Sequence, residues 1–125
     1  MAIQQSEWFQ SLLPREQDIV TYTTHTRPGA LSCDVSQSLG RHRVQMDPNM
    51  NQRVTPSEKM FIFAKARLRT AYESLSLQGA PWEDMDITGF EPNVLASLAG
   101  NAWSGPVAMA CALASLLHLP FPAKH

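Results

Sequence analysis

The chain has 125 residues, room for one domain with a modest core. Its 10 Lys and Arg nearly balance 11 Asp and Glu, so a net charge of −1 exerts no bulk pull toward nucleic acid or an anionic membrane. With 44% apolar and 17% charged residues, the composition is not that of a disordered chain.

In chain order, residues 1–13 can form a short helix bearing Trp8, Phe9, Leu12 and Leu13. Pro14 suits the first turn of a new helix, "PREQDIVTYTTH", with Glu16 and Asp18 near its positive end. Thr21, Thr23 and Thr24 are poor helix formers, and "RPG" at 27–29 ends the segment. "ALSCDVSQSL" offers a short strand at best. Residues 40–58 lack periodicity and hold two prolines, which predicts a loop. In "KMFIFAKARL" the run Met60 to Ala64 favours a strand. Thr70 followed by Glu73 has the spacing of a capping box, opening a helix "AYESLSLQ" that stops at Gly79 and Pro81. "WEDMDITGF" reads as an acidic connection. "EPNVLASLAG" is a short helix with Pro92 in its first turn and Gly100 beyond its end.

The last helix is predicted from about Ser104 to about His118. From Trp103 to Leu119 there are 17 residues without a formal charge, the lower edge of a membrane span. Small residues dilute it and no basic cluster flanks it, so a helix buried in protein is expected and no membrane. Val107, Ala110, Cys111 and Ala114 form one apolar stripe, Met109, Leu113 and Leu116 another, as burial on several sides demands. Three segments result: a helical 1–32, a loop-rich 33–59, and 60–125. The ingredients are mostly helical with one or two short strands, too little for a self-sufficient sheet, which makes an incomplete α/β unit.

Cys33 and Cys111 make no metal-ligand spacing with the four histidines and read as reduced thiols of an intracellular protein, nuclear in a eukaryote and otherwise cytoplasmic. "MAIQQSEWFQ" has no basic stretch followed by an apolar run, so it does not read as a secretory signal.

"RLRTAYESLSLQGAP" at 67–81 followed by "AGNAWSGPVAMACALASLL" at 99–117 resembles the C-terminal end of cytosine-5 DNA methyltransferases. That family carries Arg-x-Leu-Thr-x-x-Glu, then Leu-Gln-Gly-Phe-Pro, then a Gly-Asn-Ala turn and a long apolar helix. "DVSQSLGR" is loosely similar to the stretch by which the family's target-recognition region returns to the catalytic domain, which assigns 33–59 to that role. Arg69 departs from the usual Leu, Ala80 from Phe, and Trp103 from a smaller apolar residue.

The resemblance implies the C-terminal piece of a Rossmann-like domain, whose last helix helps wall an S-adenosylmethionine pocket. It places Gly100, Asn101, Ala102, Trp103 and Ser104 at the cofactor, Gly100 allowing the turn and Asn101 tolerating a left-handed conformation. The helix start adds N–H groups suited to a carboxylate. Arg41, Arg43, Arg53 and Arg67 become candidates for DNA phosphates. The plainer alternatives stand beside these: Asn101 as a helix-start residue, Arg41, Arg43 and Arg53 in a solvated loop, Arg67 and Glu73 as helix-end charges, Gln78-Gly79 closing a helix, and Trp8, Trp82 and Trp103 as packing anchors.

Family chemistry needs a cysteine thiolate in a Pro-Cys-Gln element attacking a flipped cytosine. Here the contexts are "SCD" and "ACA", and there is neither a Gly-x-Gly nor a Glu-Asn-Val. By itself this chain is expected not to catalyse methylation and not to bind S-adenosylmethionine tightly. The alternative is a small helical interaction module that docks its 104–118 helix on a partner or a second copy.

Overall fold

Side-chain alternation decides how the strands are used. The computed structural model describes residues 3–50 and 54–119. β1 (Ser32–Asp34) lies between β2 (Val44–Gln45) and β3 (Met60–Ile62), with β4 (Arg67–Leu68) outside β3, every pairing antiparallel. Cys33 stands opposite both Val44 and Phe61, and Phe61 opposite Leu68, so these four share one face. Ser32, Asp34, Gln45, Met60, Ile62 and Arg67 share the other.

The first face is covered by α1 (Glu7–Gln10) and α2 (Pro14–Thr26). Phe9, Leu12, Ile19 and Val20 pack with Cys33, Val35 and Phe61, flanked by Val44, Phe63 and Leu68. Each such fully buried side chain contributes about 1.5–3 kcal/mol. One core therefore draws on all three sequence segments. The threonines of α2 are accommodated because Thr23, Thr24 and Thr26 donate their hydroxyls to carbonyls one turn back. Glu16, buried at the start of α2, accepts from Leu13 N–H at 3.1 Å and from Lys59 Nζ at 2.7 Å. That pair pins the helix start to the approach of β3.

The second layer is α3 (Ala71–Leu77) against α4 (Pro92–Asn101). Ala71, Leu75, Leu95 and Ala99 form its centre, with Val54, Ala80, Trp82 and Ile87 around them. The capping box at α3 forms as predicted: Glu73 N–H donates to Thr70 Oγ1 at 3.2 Å and Thr70 N–H to Glu73 Oε2 at 2.8 Å.

Three expectations need correction. The sheet has four strands rather than one or two, and it closes a core of its own. Two of them, β2 and β4, are only two residues long, below the length at which alternation is readable. The fold is thus mixed α/β with a small antiparallel sheet; the parallel sheet of a Rossmann-like domain is not among the described residues.

The last helix, α5 (Gly105–His118), starts and stops where expected but is not buried by this chain: none of its residues is buried. Met109 is 74% exposed and Leu117 73%. Trp8 and Trp103 anchor no packing, at 62% and 83% exposed, whereas Trp82 does pack. No helix among the described residues is long and apolar enough to cross a membrane.

Candidate functional site

Helix ends leave backbone groups without partners, and three of them meet at Gln78. Gln78 is the C-cap of α3, its N–H bonded to Leu75 O at 3.1 Å. Its side-chain Nε2 donates to Ala99 O at 2.9 Å and Ala102 O at 3.2 Å, two carbonyls at the open end of α4. Its backbone carbonyl accepts from Gly105 N–H, the first residue of α5, at 2.8 Å. Gly79 beside it has φ +70°, and a Cβ there would meet Pro106 Cδ at 2.6 Å. The Leu-Gln-Gly and Gly-Asn-Ala segments are therefore bonded to each other.

The Gly-Asn-Ala segment itself differs from the expected turn. Gly100 and Asn101 are the last residues of α4, and Ala102 is its extended cap with φ −73°. Asn101 is exposed and takes no left-handed conformation; among the described non-glycine residues only Ala66 has positive φ. Gly100 is needed for close approach instead, since a Cβ would lie 2.1 Å from Pro56 N. Trp103 is exposed and Ser104 is the N-cap of α5 without a side-chain capping bond. Of the N–H groups at the start of α5, that of Gly105 is taken by Gln78 and Pro106 has none.

Two of the candidate arginines are engaged inside the fold. Arg67 grips Glu73 with both terminal guanidinium nitrogens, at 2.9 and 3.0 Å. These bonds, with those from Lys65 and Thr70 N–H, outweigh burial and hold the Glu73 carboxyl well below the usual carboxylate range. Arg43 pairs with Asp34 at 2.9 Å and Glu58 at 3.5 Å. Burial pushes the Asp34 carboxyl up, but bonds from Ser36 and Arg43 outweigh it and leave it below its ordinary value. Arg41 is exposed and makes no ion pair among the described residues; Arg53 lies outside them.

Sequence reasoning missed the rest of this charge chain. Glu58 also pairs with Arg69, and Arg69 Nε donates to Ser74 Oγ at 3.1 Å. Asp34, Arg43, Glu58 and Arg69 thus alternate in sign from β1 to α3, and all but Arg43 have side chains at most 7% exposed. Asp34 and Arg69 carried a signal, as charges beside apolar runs, whereas Arg43 and Glu58 sit in a polar loop and carried none. Above the second sheet face lies a groove of about 420 Å³, walled by Met50, Met60, Ile62, Tyr72, Leu77 and Trp82. Its aromatic pair stands 4.9 Å apart, and Trp82 Nε1–H donates to Ser76 Oγ at 2.8 Å. Cys33 sits on the opposite face, its thiol pushed up to about 11 by burial and so unsuited to nucleophilic work. No His, Cys, Asp and Glu cluster that could hold a metal occurs among the described residues.

The chain matches no protein-family model and no curated protein.

Proposed function

We propose that the chain is the C-terminal part of an S-adenosylmethionine-dependent cytosine-5 DNA methyltransferase-like protein. In this reading α5 closes against a cofactor-binding sheet that these residues do not include. The observation that carries it is the Gln78 node: the two motifs behind the resemblance are far apart in sequence yet joined through the same backbone groups. An apolar helix held at one end and exposed along its length accords with a helix that meets a surface from elsewhere.

The residues present fit one edge of the cofactor. Ser104 Oγ makes no capping bond, and the Trp103 indole is open. With Gly100, Asn101 and Ala102 these would border the bound cofactor, which supplies the methyl group. The nucleophile and glycine-rich loop must come from the missing part. For DNA, Arg41 and Arg53 are the contacts this reading retains, because Arg43 and Arg67 are neutralised internally.

The test is reconstitution. The chain is mixed with a cytosine-5 methyltransferase catalytic segment that carries Gly-x-Gly and Pro-Cys-Gln but lacks its own Gln-Gly and Gly-Asn-Ala elements. Methyl transfer from labelled S-adenosylmethionine to DNA is expected in the mixture and from neither part alone. Tight stoichiometric heat on titrating the cofactor into the chain by itself contradicts the proposal. A second reading, an interaction module using α5, is favoured by the exposure of Val107, Met109, Leu113 and Leu117. A stable oligomer with cooperative melting and no reconstitution selects it.

A further inference from the structure

A glutamine side chain has one NH₂ group with two donors, and at Gln78 both are directed at backbone carbonyls. Those carbonyls belong to the end of α4, which has no residues of its own left to satisfy them. The same residue holds the first N–H of α5 through its carbonyl. Between Ala99 and Gly105 the chain turns from one helix into the next, and this turn is clamped from α3 at three points. Gly79 leaves room for Pro106 to seat against it, so the clamp is also sterically filled.

We infer that Gln78 is the positioning residue that fixes the direction in which α5 leaves the fold. α5 is thereby presented to its covering surface in one set orientation rather than as a loosely hinged tail. What that surface is rests on the methyltransferase reading; the orientation does not. The amide is essential because both partners are acceptors: a carboxylate of the same shape faces two carbonyl oxygens with no proton to give.

Electron-electron distance measurement on the whole chain tests this. Cys111 is exposed on α5 while Cys33 is fully buried with a raised thiol pKa, so a nitroxide reagent at neutral pH labels Cys111 alone. The second label goes on Asp18→Cys, on the exposed face of α2. A single narrow distance is expected for the parent, and a several-fold broader distribution for Gln78→Ala and Gln78→Glu at pH 7. Lowering the pH to about 4 protonates the new carboxyl and restores a donor, so Gln78→Glu, and not Gln78→Ala, narrows again. The parent is measured at the same pH, where the depressed Asp34 and Glu73 carboxyls keep their ion pairs. Unchanged widths in both variants overturn the assignment. Broadening that acid does not reverse in Gln78→Glu also overturns it, since that marks a general packing loss.

Discussion

Arg69 carries a full charge into a nearly closed space, and it is tolerable there only because Glu58 meets it. Burial pulls the guanidinium pKa down; Nε donates to Ser74, while Nη2 has the Glu58 charge beside it but no hydrogen-bond partner. This is also the position where the resemblance has leucine. Substituting Arg69→Leu alone introduces the residue the resemblance has but leaves Glu58, 5% exposed, with only the half-open Arg43 at 3.5 Å. Breaking one side of a buried pair costs about 3–5 kcal/mol, whereas replacing both sides with apolar groups is close to neutral. Urea denaturation is therefore expected to show a loss of about 3–5 kcal/mol for Arg69→Leu, most of it recovered on adding Glu58→Leu. Arg43 limits the recovery, because it keeps Asp34 but loses its second carboxylate. Equal losses in the single and double variants show that packing, and not charge pairing, governs this position.

At the scale of elements, the junctions are set by contacts that no local signal announces. Gly100 was expected to sit beyond the end of a helix, in the usual place for a left-handed cap. It lies instead within the last turn of α4, kept small by the backbone at Thr55 and Pro56. Alanine in a helix is favoured over glycine by about 1 kcal/mol, so propensity alone makes Gly100→Ala stabilising. Two backbone atoms, Pro56 N and Thr55 C, would lie 2.1 and 2.3 Å from the new Cβ and cannot swing aside as a side-chain tip can. The steric term wins. Gly100→Ala is expected to lower the unfolding free energy by a net of about 1–3 kcal/mol, seen as an earlier urea midpoint, while Gly40→Ala, with nothing within 4 Å, leaves it unchanged.

The helices were legible because their caps are local: Pro14, the Thr70–Glu73 box and Pro92 each act within one turn. The sheet was only half legible. Its central strands carry apolar runs, but β2 hides in a polar loop and β4 follows a turn closed by left-handed Ala66. At the candidate site, the order of the two motifs could be read but their contact could not, because Gln78 reaches across to carbonyls belonging to Ala99 and Ala102. Arg43 and Arg67 looked available for phosphates because ion pairs formed by folding leave no mark in the sequence.

For the whole molecule the deciding feature is an apolar helix that the chain does not cover. α5 is about 21 Å long, and as a 14-residue helix without packing it is near the length where helices in water become marginal. Covering Val107, Met109, Leu113 and Leu117 gains about 1.5–3 kcal/mol each, or about 6–12 kcal/mol per copy. Association alone costs about 4–15 kcal/mol. Two copies together gain twice the per-copy figure, which exceeds most of the range of that cost and makes pairing through this face concentration-dependent. Sedimentation of the parent chain is expected to shift from monomer to larger species across the micromolar range. Leu113→Glu with Leu117→Lys places charge on the exposed face without touching either buried cluster, and isolated surface changes of this kind move stability by about 0.5 kcal/mol or less. The double variant should stay monomeric over the same range and melt at the midpoint of the parent diluted to monomer. A variant that melts much earlier than the monomeric parent places α5 against its own chain, because with association removed only a helix that already contributes to the core can withdraw that much stability when it is charged.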